Sequence, residues 1–288
     1  MPELPLLSVP WWGLALYVLV VGLLTSLSVS LFLHRSMTHG GVTFHPPAAL
    51  VMRAIIMLLT GMKTKEWVAV HRKHHAFSDR EGDPHSPLEE GLMAILLGNV
   101  WYYRKATQDK AMLDKYGKGT PDDWLERHVF RSHLGPFLLI PLYLVLFGWA
   151  GALVWLAGVM WMPFWGGVIN GVGHAVGYRN FNVKDVSRNI LPLTFLAGGE
   201  ELHNNHHADP RSAKFSARWY EVDVGWAVIR ALETLRLARV DYAREMSVEE
   251  FNAKHYRVRT YAPDSQLFGP SAGDLGQELA AASVSTGD

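Results

Sequence analysis

Histidine is the residue type with the most informative spacing in this chain of 288 residues. The pattern H-x-x-H-H occurs twice, an H-x4-H pair precedes both copies, and a single histidine stands between them. The nine positions are His34, His39, His71, His74, His75, His174, His203, His206 and His207. On a helix, positions i, i+3 and i+4 share a face, so each triplet aims three imidazoles into one region. A pair five residues apart is splayed on a regular helix, so either the helix unwinds there or the two imidazoles serve different metals.

Imidazoles at this density predict a metal site, because neutral imidazole is costly to desolvate unless it binds something. One zinc ion takes about four ligands, so nine histidines suit two metals with about four or five nitrogens each. Imidazole binds zinc, copper, iron and nickel, and of these iron activates oxygen at membrane sites that hold two metals. Ligand type alone leaves the metal open.

Other polar residues near the clusters are candidates for supporting roles. Asn170 precedes His174 by one helical turn and shares its face. Acids that accept the second ring N–H would fix the imidazole tautomers. The candidates are Glu66, Asp79, Asp83, Glu200 and Glu201. Of the histidines outside the clusters, we expect His85 to lie nearest the site.

Charge is strongly segregated along the chain. Residues 1–33 contain no Lys or Arg, and residues 134–174 contain no charged side chain. All 27 Lys and Arg lie in 34–133 and 175–288. A spanning helix needs about 20 mostly apolar residues, so the pattern predicts a membrane protein.

The apolar blocks predict about three spans, one at residues 9–33 and a hairpin at 134–173. The basic blocks mark the cytoplasmic side. Residues 47–62 are apolar but short and contain Arg53. A span there would separate the histidine clusters, so we predict a helix on or in the cytoplasmic membrane face. The predicted fold is an all-α integral membrane protein with a helical cytoplasmic cap that carries the histidines.

Composition excludes several other classes. The chain has no cysteine, which excludes disulfides, thiolate zinc sites and an iron–sulfur centre of its own. Its formal net charge is zero, and we expect no nucleic-acid partner. A signal peptide at the N-terminus would need a basic n-region and a cleavage site, which the sequence lacks. We predict one domain over residues 1–261 and a disordered tail over 262–288.

Four motifs resemble the membrane fatty-acid desaturases of the stearoyl-CoA and bacterial delta-9 type. They are HRSMTH (34–39), EWVAVHRKHHAFSDREGDPHSP (66–87), NGVGHAVGYRNF (170–181) and SRNILPLTFLAGGEELHNNHHADPRSAKFS (187–216). The resemblance implies that all nine histidines bind two iron ions and that Asn170 reaches one iron through water. It also implies that Trp67 lines a bent acyl tunnel.

The sequence departs from that family pattern in three places, which concern the number of spans, the third H-x-x-H-H region and the acyl carrier. Only about 33 residues precede the first motif, which leaves room for one span where the animal enzymes have two. Glu201 and Leu202 stand where bacterial members often read Gly and Trp. Acidic residues follow the DPH turn, where the animal CoA enzymes are basic, which weakens the case for CoA as the acyl carrier.

The expected activity is oxygen-dependent desaturation of a fatty acyl chain, of delta-9 type, in unsaturated fatty acid biosynthesis. An unactivated methylene has no acidic proton, so a metal-based oxidant must remove hydrogen. The substrate would be a fatty acyl thioester or an acyl lipid, and O2 the co-substrate. No flavin or nicotinamide motif is present, so we expect a separate electron donor, a ferredoxin or similar carrier with its reductase. We predict the bacterial inner membrane, with the site on the cytoplasmic face.

Two alternatives remain open from the sequence. A membrane di-iron hydroxylase of alkyl or carotenoid substrates shares the histidine chemistry and ends in a C–O bond. A metal transporter or metal-binding membrane protein would carry ionisable residues inside its spans. Here the charged residues are absent from the predicted spans, which disfavours transport.

Overall fold

The computed structural model describes residues 5–255, and the predicted tail lies outside them. Its α-helices are α1 (Trp11–Ser28), α2 (Pro46–Thr60), α3 (Thr64–Phe77), α4 (Pro87–Glu90), α5 (Leu92–Ala106), α6 (Lys110–Tyr116), α7 (Gly135–Phe147), α8 (Ala150–Gly171), α9 (His203–Ala208), α10 (Val224–Thr234) and α11 (Val248–Lys254). α1 continues as a π-helical segment, Val29–Thr38, and α8 ends in a 3-10 turn, Val172–His174. Strand β1 (Val42–Phe44) pairs antiparallel with β4 (Ala238–Val240), and β2 (Leu193–Thr194) pairs parallel with β3 (Val222–Asp223).

Within residues 5–255, two helices are long and apolar enough to cross a membrane, Trp11–Thr38 and Ala150–His174. A third candidate arises if α2 and α3, bent by 88° at their junction, are taken as one span. This confirms a mostly helical membrane fold with two to three candidate spans. The first arm of the predicted hairpin is shorter than expected. α7 has 13 residues, which is about 20 Å of helix against a hydrocarbon core of about 30 Å.

The two long helices are aligned so that corresponding ends meet. At one end, Trp12 of α1 and Trp149 before α8 are exposed, and the backbone N–H of Leu6 donates to the carbonyl of Val145. Exposed tryptophans of this kind are typical of a membrane–water interface. At the other end, the two helices carry His34 and His174. Both helices therefore place a histidine at the same end of the molecule.

The cation in the middle of α2 is neutralised by the segment that precedes α7. Arg53 lies 2.8 Å from an oxygen of Asp123 and 3.0 Å from an oxygen of Glu126, and it stacks on Phe130. These contacts explain how an apolar helix tolerates a charge. Placement of residues 47–62 in the cytoplasmic membrane face stays a prediction.

α5 packs closely against the second half of α8. A Cβ on Gly167 would lie 2.3 Å from the carbonyl oxygen of Leu96, so the two backbones approach more closely than any side chain there allows. The contact brings Asn99 of α5 within 2.9 Å of Asn170, where the two side-chain amides hydrogen-bond. α5 thereby forms one wall of the space in front of the histidines.

Candidate metal centre

The nine histidines of the motifs lie together in two clusters. Within each cluster, one nitrogen of every ring lies within 4.8 Å of the corresponding nitrogens of the others. Cluster A consists of His34, His39, His71, His75 and His206. Cluster B consists of His74, His174, His203 and His207. All nine side chains are buried or half-buried, and those of cluster B are all buried.

Each H-x-x-H-H triplet serves both clusters. On α3, the first and last histidines of the triplet face cluster A, and His74 faces cluster B. On α9, the first and last face cluster B, and His206 faces cluster A. We expected each triplet to aim at one region; the structure instead places α3 and α9 across from each other, so that each contributes to two sites.

A π-helix brings the first pair of histidines together. The backbone N–H of His39 donates to the carbonyl of His34 at 3.2 Å, an i to i+5 bond, and the two ring centroids are 4.8 Å apart. In an α-helix, positions five apart point about 140° away from each other. The wider π turn aligns them, and π-helical turns are frequent at functional sites.

The rings converge through their Nε2 atoms. His206 Nε2 lies 3.0 Å from that of His34 and 2.9 Å from that of His75. In cluster B, the Nε2 atoms of His174 and His203 are 2.9 Å apart. In the part of the chain from 5 to 255, Nε2 of His39, His74 and His207 is buried and has no hydrogen-bond partner. Buried nitrogens without partners are destabilising unless a ligand satisfies them.

Carboxylates orient three of the four rings in cluster B through their other nitrogen. Nδ1–H of His174 donates to Asp79 at 2.7 Å, and Nδ1–H of His74 donates to both oxygens of Asp83 at 3.0 Å. Nδ1 of His207 lies 3.4 Å from Asp185. A proton held on Nδ1 leaves the Nε2 lone pair free to bind a metal.

Cluster A has one such carboxylate and a different kind of support. Nδ1 of His34 lies 2.7 Å from Glu200, whose other oxygen accepts from Ser30. Arg35, next in the chain, is fully buried, pairs with Asp223 at 2.9 Å and stacks 3.7 Å above the ring of Phe215. That ring in turn contacts His34 and His206.

Burial keeps the imidazoles of His203, His206 and His207 neutral and their lone pairs available. It lowers the pKa of His203 and His206 well below the ordinary value, and neighbouring imidazoles lower it further. It also lowers the pKa of His207 to about 4. Burial alone would raise the pKa of Asp185, but the adjacent His207 lowers it below its ordinary value. At neutral pH the rings of His203, His206 and His207 are therefore neutral and the Asp185 carboxylate is charged.

The supporting residues match the sequence expectations in part. Asp79, Asp83 and Glu200 contact cluster histidines as expected, and His85 stacks on His74 with centroids 4.6 Å apart. Sequence reasoning missed Asp185, which lies between two of the recognised motifs and has no characteristic spacing to its partner.

Two of the expected acids have other partners. Glu66 pairs with Lys63 at 2.9 Å. Glu201 is buried and accepts the backbone N–H groups of Leu196, Ala197 and Gly199, so it shapes the loop before α9. Burial raises the pKa of Glu201, and these backbone donors offset part of that rise.

A cavity of about 790 Å³ opens in front of the clusters. Its inner wall includes His34, His71 and His203, and Asn170 lies beside them. Trp67 also lines it and stacks on His71, with centroids 4.9 Å apart and planes 18° from parallel. The outer part is lined mainly by apolar residues of α5, α7 and α8, including Val100, Phe137, Trp155, Val159 and Met162. A long apolar ligand could lie in it with one segment beside the imidazoles.

Comparisons with a family model and with individual proteins find desaturases in each case. The sequence model of the fatty acid desaturase family matches residues 10–242. An "sn-2 palmitoyl-lipid 9-desaturase" of Nostoc sp. (strain 36) is 33% identical over 242 residues, which cover 80% of this chain and 81% of the relative. From Arabidopsis thaliana, "Delta-9 desaturase-like 4 protein" is 30% identical over 248 residues, covering 79% of this chain and 76% of the relative. "Delta-9 acyl-lipid desaturase 1" of the same plant is 30% identical over 243 residues, which cover 79% of this chain and 74% of the relative.

Proposed function

We propose that this chain, which belongs to the fatty acid desaturase family, is an oxygen-dependent desaturase that holds two iron ions in clusters A and B. That it is a fatty acyl desaturase follows from the family and from relatives named as desaturases. The two irons, the use of O2 and the delta-9 position are the proposed part. The observation that carries the proposal is the division of nine buried imidazoles into adjoining sets of five and four.

The donor set suits metal ions. Neighbouring Nε2 atoms lie 2.9–3.0 Å apart, close enough for one ion to bind them together. The five nitrogens in cluster A exceed the four that zinc takes in proteins. This number favours iron over zinc.

In this proposal the nine histidines bind the ions through Nε2, and Asn170 reaches one of them through water. When bound, two irons supply the one-electron chemistry that removes hydrogen from an unactivated methylene. The carboxylates that accept from the imidazoles hold each ring in one tautomer and orientation. Trp67 covers one face of His71 and, by lining the cavity, helps to exclude water from the reacting carbons.

The cavity supports a fatty acyl substrate. Its lining is mostly apolar, and its rim has polar residues such as Arg104 and Gln108, which suits a chain with a polar head. The relatives' names point to a bond at position 9 and to acyl lipids, and acyl-CoA remains the other carrier to test. Electrons would come from a separate ferredoxin or similar carrier. We infer that the protein resides in a bacterial inner membrane with the site on the cytoplasmic face.

Expression in a host without membrane desaturases, followed by lipid mass spectrometry, tests the proposal. We expect new monoenoic acyl chains from the intact protein with a supplied electron donor, and none from a His206→Ala variant. Purified protein should hold about two irons per chain. Hydroxylated products would instead support the hydroxylase alternative, and unchanged lipids despite bound iron would refute both.

The carrier can be settled in the same system. Purified protein is supplied with palmitoyl-phospholipid or with palmitoyl-CoA under equal conditions of electron supply. Conversion of the phospholipid alone would establish an acyl-lipid desaturase, and conversion of the thioester alone an acyl-CoA desaturase.

A further inference from the structure

A gap on the side of the molecule connects the cavity to the surface. Helices α5 and α7 both pack against α8 but hardly touch each other, so a gap remains between them over the surface of α8. Val100 of α5 and Phe137 of α7 line the cavity and are also 42% and 55% exposed, so they form the two edges of this gap. Trp155 and Val159 of α8 line the cavity behind them. We name these four residues the lateral slot.

Both edges of the lateral slot are fixed to α8. On the α7 side, Nε1–H of Trp155 donates to the carbonyl of Pro136 at 2.8 Å, and the ring centroids of Trp155 and Phe137 are 5.7 Å apart. On the α5 side, the hydrogen bond between Asn99 and Asn170 holds α5 against α8. The packing of the three helices therefore forms the slot.

The position of the slot along α8 indicates which solvent it faces. Trp149 is 88% exposed and precedes α8 at the end where the exposed tryptophans mark the far membrane interface. Trp155 and Val159 lie about 9 and 15 Å along the helix from it. The hydrocarbon core is about 30 Å thick, so both residues lie within it when α8 spans the membrane. At this depth the slot faces acyl chains and not water.

The surface beside the slot is apolar as well. Large apolar side chains are exposed on each of the three helices that form it: Leu97, Trp101, Leu138, Leu156 and Met160. The slot is therefore continuous with a surface that suits acyl chains. Arg104 and Gln108 follow Val100 on α5 at spacings of four, so they continue the same face of the helix and also line the cavity. A lipid can thus keep its head beside polar residues while its acyl chain lies in the apolar part.

We propose that the lateral slot is an entrance through which an acyl chain of a bilayer phospholipid reaches the histidine clusters without leaving the membrane. The inner end of the same cavity is lined by His34, His71 and His203, so a chain that passes between Val100 and Phe137 arrives beside the imidazoles. This inference rests on the proposed function, because it assumes an acyl substrate, and on α8 as a span. It identifies the bilayer as the source of the substrate.

Entry from the bilayer can be tested with a readout that does not depend on turnover. The full-length protein is placed in phosphatidylcholine vesicles in which a small share of the lipid carries a photoreactive diazirine midway along its palmitoyl chain. After illumination, mass spectrometry locates the adducts. Val70 of α3 is buried and lines the cavity, so adducts there report a chain inside it. Leu16 of α1 is exposed and reports contact with the surrounding lipid.

Two variants narrow the slot from different helices, Val100→Trp and Val159→Trp. Met160→Trp is the matched control, because Met160 is next to Val159 on α8 but is exposed and does not line the cavity. We expect Val70 adducts in the unaltered protein and in the control. Both slot variants should show a several-fold decrease at Val70, with Leu16 adducts unchanged throughout.

Equal labelling of Val70 in the slot variants and in the control would overturn the inference, because the chain would then enter elsewhere. Absence of Val70 adducts in the unaltered protein would also overturn it. Palmitoyl-CoA that carries the same diazirine then tests the proposed function separately. Val70 adducts from this thioester alone would show a substrate that enters from water and would leave the proposed function intact. No adducts from either probe would contradict the acyl substrate itself.

Discussion

Clusters A and B share the same two helices but are supported in different ways. In cluster B, three of four rings face a carboxylate, from Asp79, Asp83 and Asp185. In cluster A, one of five rings does, and the rest of the support comes from aromatic packing and the buried Arg35–Asp223 pair. Cluster A contributes two rings to the cavity wall and cluster B contributes one.

The difference indicates that two similar histidine clusters would bind metal ions with unequal affinity. Three nearby negative charges favour a cation, and they raise the basicity of the rings they contact. We therefore expect cluster B to bind its ion more tightly. Cluster A has fewer fixed partners and more contact with the cavity, so we expect it to be the site that responds to substrate.

Loss of one ligand should have the largest effect and should be equal for the two clusters. We expect His75→Ala in cluster A and His207→Ala in cluster B each to lower desaturation by more than about 100-fold, beyond the range for supporting residues. Each should leave about one iron per chain, measured by mass spectrometry of the metal. His128→Ala, an exposed histidine outside the clusters, is the control. Substantial activity in either variant would show that one ion suffices.

Removal of a supporting carboxylate should separate the clusters. We expect Glu200→Gln to weaken iron binding by about 100-fold and Asp185→Asn by about 10-fold, because two carboxylates remain around cluster B. Competition with a chelator measures the affinities. Glu249→Gln, at an exposed ion pair, should change nothing. A larger effect at Asp185 than at Glu200 would reverse our ranking of the two sites.

Acid should destabilise the metal-free protein through the buried histidines. Burial lowers the pKa of His207 to about 4, whereas an unfolded histidine has a pKa of about 6.5. The unfolded state therefore binds more protons between these values, and stability falls as the pH drops from about 6.5 to about 4. We expect the melting temperature to fall by about 2 °C for each kcal/mol of stability lost. A His207→Gln variant should show a smaller decrease, and an equal one would place the effect elsewhere.

The smallest effect should come from the aromatic cover of cluster A. We expect Trp67→Phe to reduce activity by a few-fold and Trp67→Ala by about 10-fold, because the stack on His71 and the cavity wall are weakened. Iron content should remain at about two per chain. Desaturated products from acyl chains of several lengths measure the activity of each variant. Loss of iron in Trp67→Phe would show that the residue supports the metal site.

Sequence patterns predicted the parts of this protein that depend on local chemistry. The apolar stretch before His34 and the stretch ending at His174 gave two long helices, because each is long enough to span a membrane. Clustering of the nine histidines followed from their spacing and from the need for a shared side of the membrane. Asp79 and Asp83 were recognisable because they lie near the second triplet in sequence.

Tertiary arrangement determined what the sequence did not reveal. A π-helix has no clear sequence signature, so the alignment of His34 with His39 was one of two open alternatives. The division of each triplet between the two clusters depends on how α3 and α9 face each other, although 125 residues of chain separate the two helices. Asp185 depends on a loop that returns to the site, and the shortness of α7 depends on turns that hydropathy does not reveal.

The reciprocal use of the two triplets has a consequence for assembly. Each ion would cross-link α3 to α9, so the first ion to bind brings together the helices that form the second site. The loss of chain entropy on joining these distant segments opposes the first binding event alone. We therefore expect iron loading to be positively cooperative, with few chains that carry a single ion at sub-stoichiometric iron.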